Sequence, residues 1–236
     1  MNKKEIFNIS LDIGKWIIKS GGEISRAKET IIRINNAYGM DCEVFALPSV
    51  IIAQNGDLIQ IRQIKGVNDD MSLLSRLNNT SREICAGKSL HCNLQPINEY
   101  KSITNAFAVF AATSSFCIYF GGSIFEAVIS GIIGLIISYI NLQKYSLPIF
   151  TNNIICSFTA SVLANLPRLL GISAESDKII IGTIMLLVPG LTTVSSIRDM
   201  MKGDLIAGLF ELFNAIMAAL AIAFGVAGGI WVMSWL

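Results

Sequence analysis

The spacing of hydrophobic residues divides the chain into a first part with short periodic segments and a second part with long apolar runs. Near the N-terminus, isoleucines recur at helical spacing and the pattern stops at Gly21-Gly22, which predicts a helix closed by a glycine C-cap. A second helix is predicted through "EISRAKETIIRINNAYG", which ends at Gly39.

The period then changes to that of strands. "CEVFALP" and "SVIIAQ" are predicted strands, and "LIQIRQI" alternates strictly, as a returning strand does. The sequence "NGD" at 55–57 predicts the hairpin turn between the last two strands, because Asn-Gly tolerates positive φ. "MSLLSRLNNTSREICAG" returns to helical periodicity and closes at Gly87. Residues 1–100 are therefore predicted to form a small α+β domain, with "KSLHCNLQPINEYKS" as the connector to the apolar second part.

After residue 101 the apolar runs approach or reach the length of about 20 residues that a membrane-spanning helix needs. Five spans are predicted, at 103–120, 123–140, 149–166, 179–196 and 205–234. The predicted fold class is an α-helical membrane protein, with five transmembrane helices in residues 101–236 and an N-terminal cytosolic α+β domain. A cytosolic N-terminus and an outside C-terminus place four of the six basic residues of this second part inside, as the positive-inside rule favours.

Composition agrees with a membrane protein. Of the 236 residues 53% are hydrophobic and 15% charged, with a mean hydropathy of +0.59. The net charge of +1 and the lack of a basic stripe argue against nucleic acid as a partner. The five cysteines match no zinc spacing, and His91 with Cys92 is too small a ligand set, so no metal or cofactor is predicted. The first 25 residues lack the pattern of a signal peptide.

Two carboxylates, Glu126 and Glu211, lie well inside predicted spans. A charge at the centre of a bilayer costs about 2.5–3.5 kcal/mol or more, so both are candidates for proton coupling. The alternative for Glu126, which is one turn from Gly121-Gly122, is a position at the membrane interface. Glu211 belongs to a stripe of small and polar residues at helical spacing: Asp204, Ala207, Gly208, Glu211, Asn214, Ala218 and Ala219. The stripe is either a packing seam or a proton or substrate site.

Similar stripes occur in the first and third spans. They consist of Asn105, Ala108, Ala112, Ser115 and Tyr119, and of Asn153, Ser157, Ala160 and Ala164. Small-polar faces of this kind are typical of close helix packing or of a hydrated path, and residue spacing does not distinguish the two.

The fourth predicted span is interrupted at Pro189-Gly190 within "IMLLVPGLTTVSSIRDMMKGD". Broken helices at membrane depth are tolerated where the freed backbone groups face protein or a wet cavity, and transporters use them to hold substrate. A new half-helix starting at 191–192 would offer free N–H groups to an anion, and Thr192, Ser196 and Asp199 share its polar face. The alternative is a proline kink without a ligand. "SIRDMMKGD" is predicted to form a cytosolic turn.

In the first part, "SGGEISRAKETIIRI" has two glycines before a helix but lacks a complete phosphate-binding pattern. Glu23 and Arg26 are expected to form a local ion pair instead. Ser49, Asp57, His91 and Cys42 form no recognisable triad by their spacing.

Several of these blocks together resemble the threonine/serine exporter (ThrE) family: "GGEISRAKETIIRI", "YGMDCEVFALPSVIIA", "VNDDMSLLSRLNNTSREI", "FGGSIFEAVISG" and "MLLVPGLTTVSSIRDMMKGDLIAGL". The order of the blocks is most similar to the YjjP-like large subunit of the split, two-component form. The resemblance implies export of small amino or carboxylic acids such as threonine, serine or succinate, and a smaller YjjB-like membrane subunit as partner. Glu126 stands where many relatives have an aspartate.

The predicted function is that of a subunit of a proton-coupled exporter in the cytoplasmic membrane. The residues predicted to bind the solute are Pro189, Gly190, Thr192, Thr193, Ser196, Asn153 and Asn214. Those predicted to exchange protons are Glu126, Glu211 and Asp199. The alternatives are a membrane-anchored enzyme of hydrolase type, with its active site in residues 1–100, and a regulatory domain that senses solute.

Overall fold

The computed structural model describes residues 3–66, 70–87, 102–142 and 147–235. The helices over these residues are α1 (Lys3–Lys19), α2 (Ile24–Ala37), α3 (Met71–Cys85), α4 (Ser102–Tyr119), α5 (Ile124–Leu142), α6 (Ile149–Leu169), α7 (Ser176–Ile184), α8 (Gly190–Met201) and α9 (Leu205–Met233). The strands are β1 (Glu43–Leu47), β2 (Val50–Asn55) and β3 (Leu58–Gln63). The chain divides into two compact units, one of Met1–Asn98 with Gly190–Phe213 and one of Glu99–Pro189 with Asn214–Leu236.

The two helices that open the first unit are joined by a glycine turn, as predicted. Gly21 has φ of 77°, a left-handed conformation that glycine adopts without strain. A Cβ on Gly22 would lie 2.7 Å from the Ile17 side chain and 2.8 Å from that of Leu74. Gly21 therefore allows the tight turn after α1, and Gly22 allows the backbone of that turn to lie close to α1 and α3.

The three strands form one antiparallel sheet in the order β1-β2-β3. Asn55 pairs with Leu58 across the β2–β3 turn, and Gly56 has φ of 59°. The predicted hairpin is confirmed, because the Asn-Gly dipeptide supplies the positive φ that this turn needs.

The core of the first unit is formed by the apolar faces of α1, α2 and α3 against the sheet. Its largest fully buried side chains include Phe7, Leu11, Ile31, Ile51 and Ile84. Ala207, at the start of α9, belongs to the same core. The core of this unit is therefore built from two parts of the chain that are far apart in sequence.

In the second unit α4 and α5 form the predicted hairpin, with the Gly122 N–H donating to the Cys117 carbonyl at 2.9 Å. Both helices pack against α7, and α5 and α7 pack against α6. Within the described residues three helices are long and apolar enough to cross a membrane, in α5, α6 and α9, and Ile103–Tyr119 is a shorter apolar helix.

The fourth predicted span is not one helix. α7 ends at Ile184 and α8 begins at Gly190, which confirms the break at Pro189-Gly190. With 9 residues, α7 rises about 14 Å and reaches less than halfway across a bilayer. The turn predicted for "SIRDMMKGD" is wrong for its first six residues, because α8 continues helically to Met201.

Some sequence predictions concern residues that the structure does not describe. They include the connector between the two predicted domains, the His91-Cys92 pair, and two of the four basic residues predicted to lie inside, Lys101 and Lys144.

Candidate functional site

A buried aspartate of α8 caps the N-terminus of α2 in the first unit. The Ile24 N–H donates to Asp199 Oδ2 at 3.1 Å, and the Ser25 N–H donates to Oδ1 at 3.2 Å. Glu23, at the N-cap position of α2, makes no capping bond with its own side chain. Asp199, which is fully buried, therefore satisfies two helix-terminal donors that would otherwise lack partners.

Glu23 is instead paired with two cations of α8 and the turn after it. Its carboxylate contacts the Arg198 guanidinium and accepts a bond from Lys202 Nζ at 2.9 Å. Burial by itself raises the pKa of Glu23, but these hydrogen bonds and charges outweigh it and hold the pKa below its ordinary value. The predicted pair of Glu23 with Arg26 is wrong, because the carboxylate has these two long-range partners.

A third pair completes this group of charges. Lys28 Nζ contacts the Asp204 carboxylate, and Lys202 Nζ also donates to the Ser25 hydroxyl at 3.1 Å. We refer to the set as the α2–α8 cluster, which consists of Glu23, Lys28, Arg198, Asp199, Lys202 and Asp204. The cluster fastens α8 and the α8–α9 turn to the first two turns of α2.

Glu211 lies on α9 beside this cluster. Its side chain is partly buried, and its Oε2 atom is buried without a hydrogen-bond partner among the described residues. Ser195 is a hydrogen-bond partner of the Glu211 carboxyl group, and the carboxylates of Asp199 and Glu23 act on it as like charges. A buried carboxyl oxygen without a hydrogen-bond donor is costly.

The serine hydroxyls of α8 are used within their own helix. Ser195 donates to the Thr192 carbonyl at 3.1 Å, and Ser196 donates to the Thr193 carbonyl at 2.8 Å. Ser196 is fully buried, whereas both threonines are half-buried. The two serine oxygens therefore have only acceptor capacity left for a ligand.

The helix start contains the remaining predicted solute-binding residues of this segment. Pro189 is half-buried, and Gly190, the first residue of α8, is exposed. A Cβ on Gly190 would meet no described atom within 4 Å. The backbone at the beginning of α8 is thus open to approach.

In the second unit, one of the two predicted polar faces is buried and the other is largely exposed. Asn153 is 7% exposed, and Ser157, Ala160 and Ala164 on the same face of α6 are fully buried. On the predicted face of α4, Ser115 is exposed, whereas Thr113 on another face is buried. Asn214 is exposed on α9.

A group of buried hydroxyls was not predicted. Ser130 of α5 donates to the Thr113 carbonyl at 3.2 Å, and its Oγ lies 3.1 Å from Thr183 Oγ1 of α7. The only sequence signal is that Ser130 and Thr183 each stand next to a glycine, and this pattern is common in packed membrane helices.

Glu126 is bound by backbone groups on both of its oxygens. The Ser123 N–H donates to Oε2 at 2.6 Å, and the Glu175 N–H donates to Oε1 at 2.6 Å. The Glu126 N–H donates in turn to the Ser123 hydroxyl at 3.3 Å, which completes a capping box at the start of α5. In this geometry the carboxylate ties the α4–α5 turn to the loop before α7.

Glu126 and Asn153 are not brought together. The neighbouring Asn152 donates to Asn141 at the C-terminal end of α5, whereas Glu126 lies in the first turn of that helix. About 20 Å of helix separates the two positions.

No group of three or more His, Cys, Asp or Glu side chains suited to a metal occurs among the described residues. The described cysteines, Cys42, Cys85, Cys117 and Cys156, are free. Burial raises the pKa of the Cys42 thiol to about 11, with Asp41 and Glu43 adding to the effect, so this thiol stays protonated at neutral pH.

The chain has helices long and apolar enough to cross a membrane and a segment broken at Pro189-Gly190. These features are typical of a helical membrane protein, and broken segments of this kind are found in transporters. The family agrees with this class. The chain belongs to the ThrE family, described as "Putative threonine/serine exporter", whose model matches residues 8–233. The predicted resemblance is thereby confirmed. No curated protein and no solved structure matches the chain.

Proposed function

We propose that the protein is a subunit of a secondary transporter that exports small amino acids or carboxylic acids, of the threonine, serine or succinate kind. It acts in the cytoplasmic membrane with its N-terminus in the cytosol and its C-terminus outside. Export is coupled to protons, and a smaller YjjB-like membrane subunit completes the transporter. Membership of the ThrE family supports the transport class.

The observation that carries the proposal is the broken segment between α7 and α8. α7 stops at Ile184 inside the helix bundle, and a new helix starts at an exposed Gly190. The first N–H groups of a helix have no intrahelical partners and favour an anion. The solute carboxylate is therefore assigned to the start of α8, with Thr192 and Thr193 beside it. The Ser196 hydroxyl oxygen could only accept a hydrogen bond from the solute.

Asn153 and Asn214 are assigned supporting roles along the solute path. Asn153 is a buried polar group on the inner face of α6, where a transported solute would need hydrogen-bonding partners. Asn214 is exposed on α9, a position that suits contact with the partner subunit as well as with solute.

The proton is assigned to Glu211. Its Oε2 atom is buried without a hydrogen-bond partner among the described residues, and Asp199 and Glu23 act on the carboxyl group as like charges, so a change of protonation there would be felt by the α2–α8 cluster. Asp199 responds to this proton through its cap on α2. Glu126 has a lesser claim to proton exchange, because both of its oxygens are already bonded.

A partner subunit is supported by the small number of membrane-crossing helices. Carriers with alternating access are commonly built from two related halves. Three long spanning helices, one shorter apolar helix and one broken segment among the described residues supply about one such half.

The first test replaces Glu211 by Gln in proteoliposomes that contain this chain and its small partner. We expect efflux of labelled threonine or serine driven by a pH gradient to fall at least tenfold, while solute exchange without a gradient persists, because only the proton-binding group is removed. Glu29→Gln, at an exposed position on α2, is the matched control and should transport normally.

Unchanged proton-driven efflux in Glu211→Gln would end the assignment of the proton. Absence of efflux from the unaltered pair of chains, for every solute tried, would end the proposed transport function and favour an enzymatic role for the first unit.

A further inference from the structure

A cavity of about 470 Å³ opens where α6 ends and α7 begins, within the second unit. It is lined by the last turn of α6, the loop before α7, the first turn of α7 and Ile230 of α9. Its volume falls within the range of small-molecule sites. None of the residues predicted to bind solute lines it.

The walls of the cavity contain opposite charges that do not contact one another. Arg168 lies on the α6 side, and Glu175 and Asp177 lie on the α7 side. The ion pairs found among the described residues all lie in the first unit and include none of these three. Arg168 and Asp177 each suit the dipole of their own helix end. Their charges nevertheless remain available to a molecule between them.

The acidic wall is held in place by a buried carboxylate. Glu126, 7% exposed, accepts the Glu175 N–H at 2.6 Å while it also caps α5. The loop that carries Glu175 is therefore fixed to the α4–α5 turn. Glu126 acts here as a positioning residue.

We propose that this cavity binds a small zwitterionic α-amino acid, with Arg168 contacting its carboxylate and Glu175 and Asp177 contacting its ammonium group. The site deepens the proposed function and rests on it, since it selects amino acids over dicarboxylates among the candidate solutes. A guanidinium binds a carboxylate through charge-assisted hydrogen bonds, and two carboxylates favour a cationic group. A dicarboxylate would meet one cation and two like charges, which is unfavourable.

In the orientation proposed above, the α6–α7 loop lies outside the cell. The cavity is then an exit site that receives the amino acid after it has passed the broken segment. Asn165 and Ser173, which also line it, offer polar groups to a side-chain hydroxyl such as that of threonine or serine.

The test measures binding of labelled L-threonine to the full chain in lipid nanodiscs. We expect N-acetyl-L-threonine, which lacks the ammonium group, and succinate to displace the label at least tenfold less effectively than L-threonine. Arg168→Gln should weaken threonine binding at least tenfold, and Arg168→Lys should weaken it less. Arg82→Gln, at an exposed position on α3, is the matched control.

The double variant Glu175→Gln/Asp177→Asn gives a second, independent readout. It should weaken threonine binding and also reduce the preference for threonine over N-acetyl-L-threonine, because the charges that select an ammonium group are gone. A purely structural effect would weaken both ligands alike.

Three results would overturn the proposal: no threonine binding to the unaltered chain, equal displacement by succinate, or unchanged binding in Arg168→Gln. Efflux in the proteoliposome assay is scored separately. Efflux that persists while these variants have no effect counts against the cavity alone, whereas threonine binding without efflux counts against the transport function.

Discussion

Asp199 provides the capping group that α2 lacks at its own N-terminus. Both of its oxygens accept backbone N–H groups, and the side chain is fully buried. Removal of such a cap leaves two backbone N–H donors without a hydrogen-bond partner, and each unsatisfied donor lowers the stability of the fold.

We therefore expect Asp199→Ala to destabilise the folded chain by about 2 kcal/mol. The measurement is the thermal unfolding midpoint of the purified chain in detergent. Asp41→Ala, at an exposed position, is the control and should leave the midpoint nearly unchanged. Equal midpoints for the two variants would contradict the capping role.

At the scale of residues, sequence identified which side chains matter better than it identified their partners. Asp199 stood out as a polar residue on α8, but its contact with Ile24 crosses 175 positions, and no local pattern reports such a contact. Glu126 was recognised as an unusual carboxylate in an apolar segment. Its bond to Glu175, 49 positions away, became visible only in the folded chain.

Among the helices, α7 depends on the closeness of its approach to α4. A Cβ added to Gly182 would lie 2.7 Å from the Cys117 Cβ and 2.8 Å from the Cys117 backbone nitrogen. Backbone atoms cannot move aside as a flexible side chain can, so this position requires glycine for its size.

We expect Gly182→Ala to destabilise the chain by about 1–3 kcal/mol through overpacking. Gly228→Ala is the matched control, because a Cβ there would lie 3.6 Å from Phe158, at ordinary contact distance. Since alanine favours helices over glycine, the control should be neutral or slightly stabilising. Thermal midpoints that shift in the same direction for both variants would refute the close-approach explanation.

The existence and type of most helices and strands could be predicted, because they follow from local periodicity and turn residues. Asn55-Gly56 predicted the hairpin, and Pro189-Gly190 predicted the break after α7. The buried face of α4 could not be predicted in the same way. Small-polar spacing favoured the face with Ser115, whereas Thr113 and Cys117 are buried because glycines on α5 and α7 admit them.

In the whole chain, residues 190–213 belong to the same compact unit as residues 1–98. The α2–α8 cluster and the burial of Ala207 in the first core are the contacts that explain this. Residues 190–213 therefore pack with the N-terminal part of the chain, although they follow the apolar segments in sequence.

A double-mutant cycle on the Lys28–Asp204 pair tests the contact between α2 and the α8–α9 turn. Both side chains are 22% exposed, so we expect a coupling free energy of up to about 1 kcal/mol between Lys28→Met and Asp204→Asn. The free energies of unfolding of the two single variants and the double variant supply it. Lys28→Met combined with Asp57→Asn, in the distant hairpin turn, should show no coupling. Additive effects in the first cycle would mean that the contact contributes nothing.

The length of α9 has a consequence for membrane voltage. The helix has 29 residues, and the first unit ends at Phe213. The part of α9 after Phe213 therefore has about 20 residues and a length of about 30 Å, which equals the thickness of the hydrocarbon layer. In the proposed orientation, with the N-terminus in the cytosol, we therefore expect Glu211 at the cytosolic edge of that layer. A full crossing of the membrane field changes the energy of one charge by about 2.3 kcal/mol per 100 mV. In that orientation a proton that reaches Glu211 from the cytosol would cross little of the field, whereas a proton that enters from outside would cross nearly all of it, so we expect the membrane potential to add to the driving force of proton-coupled export.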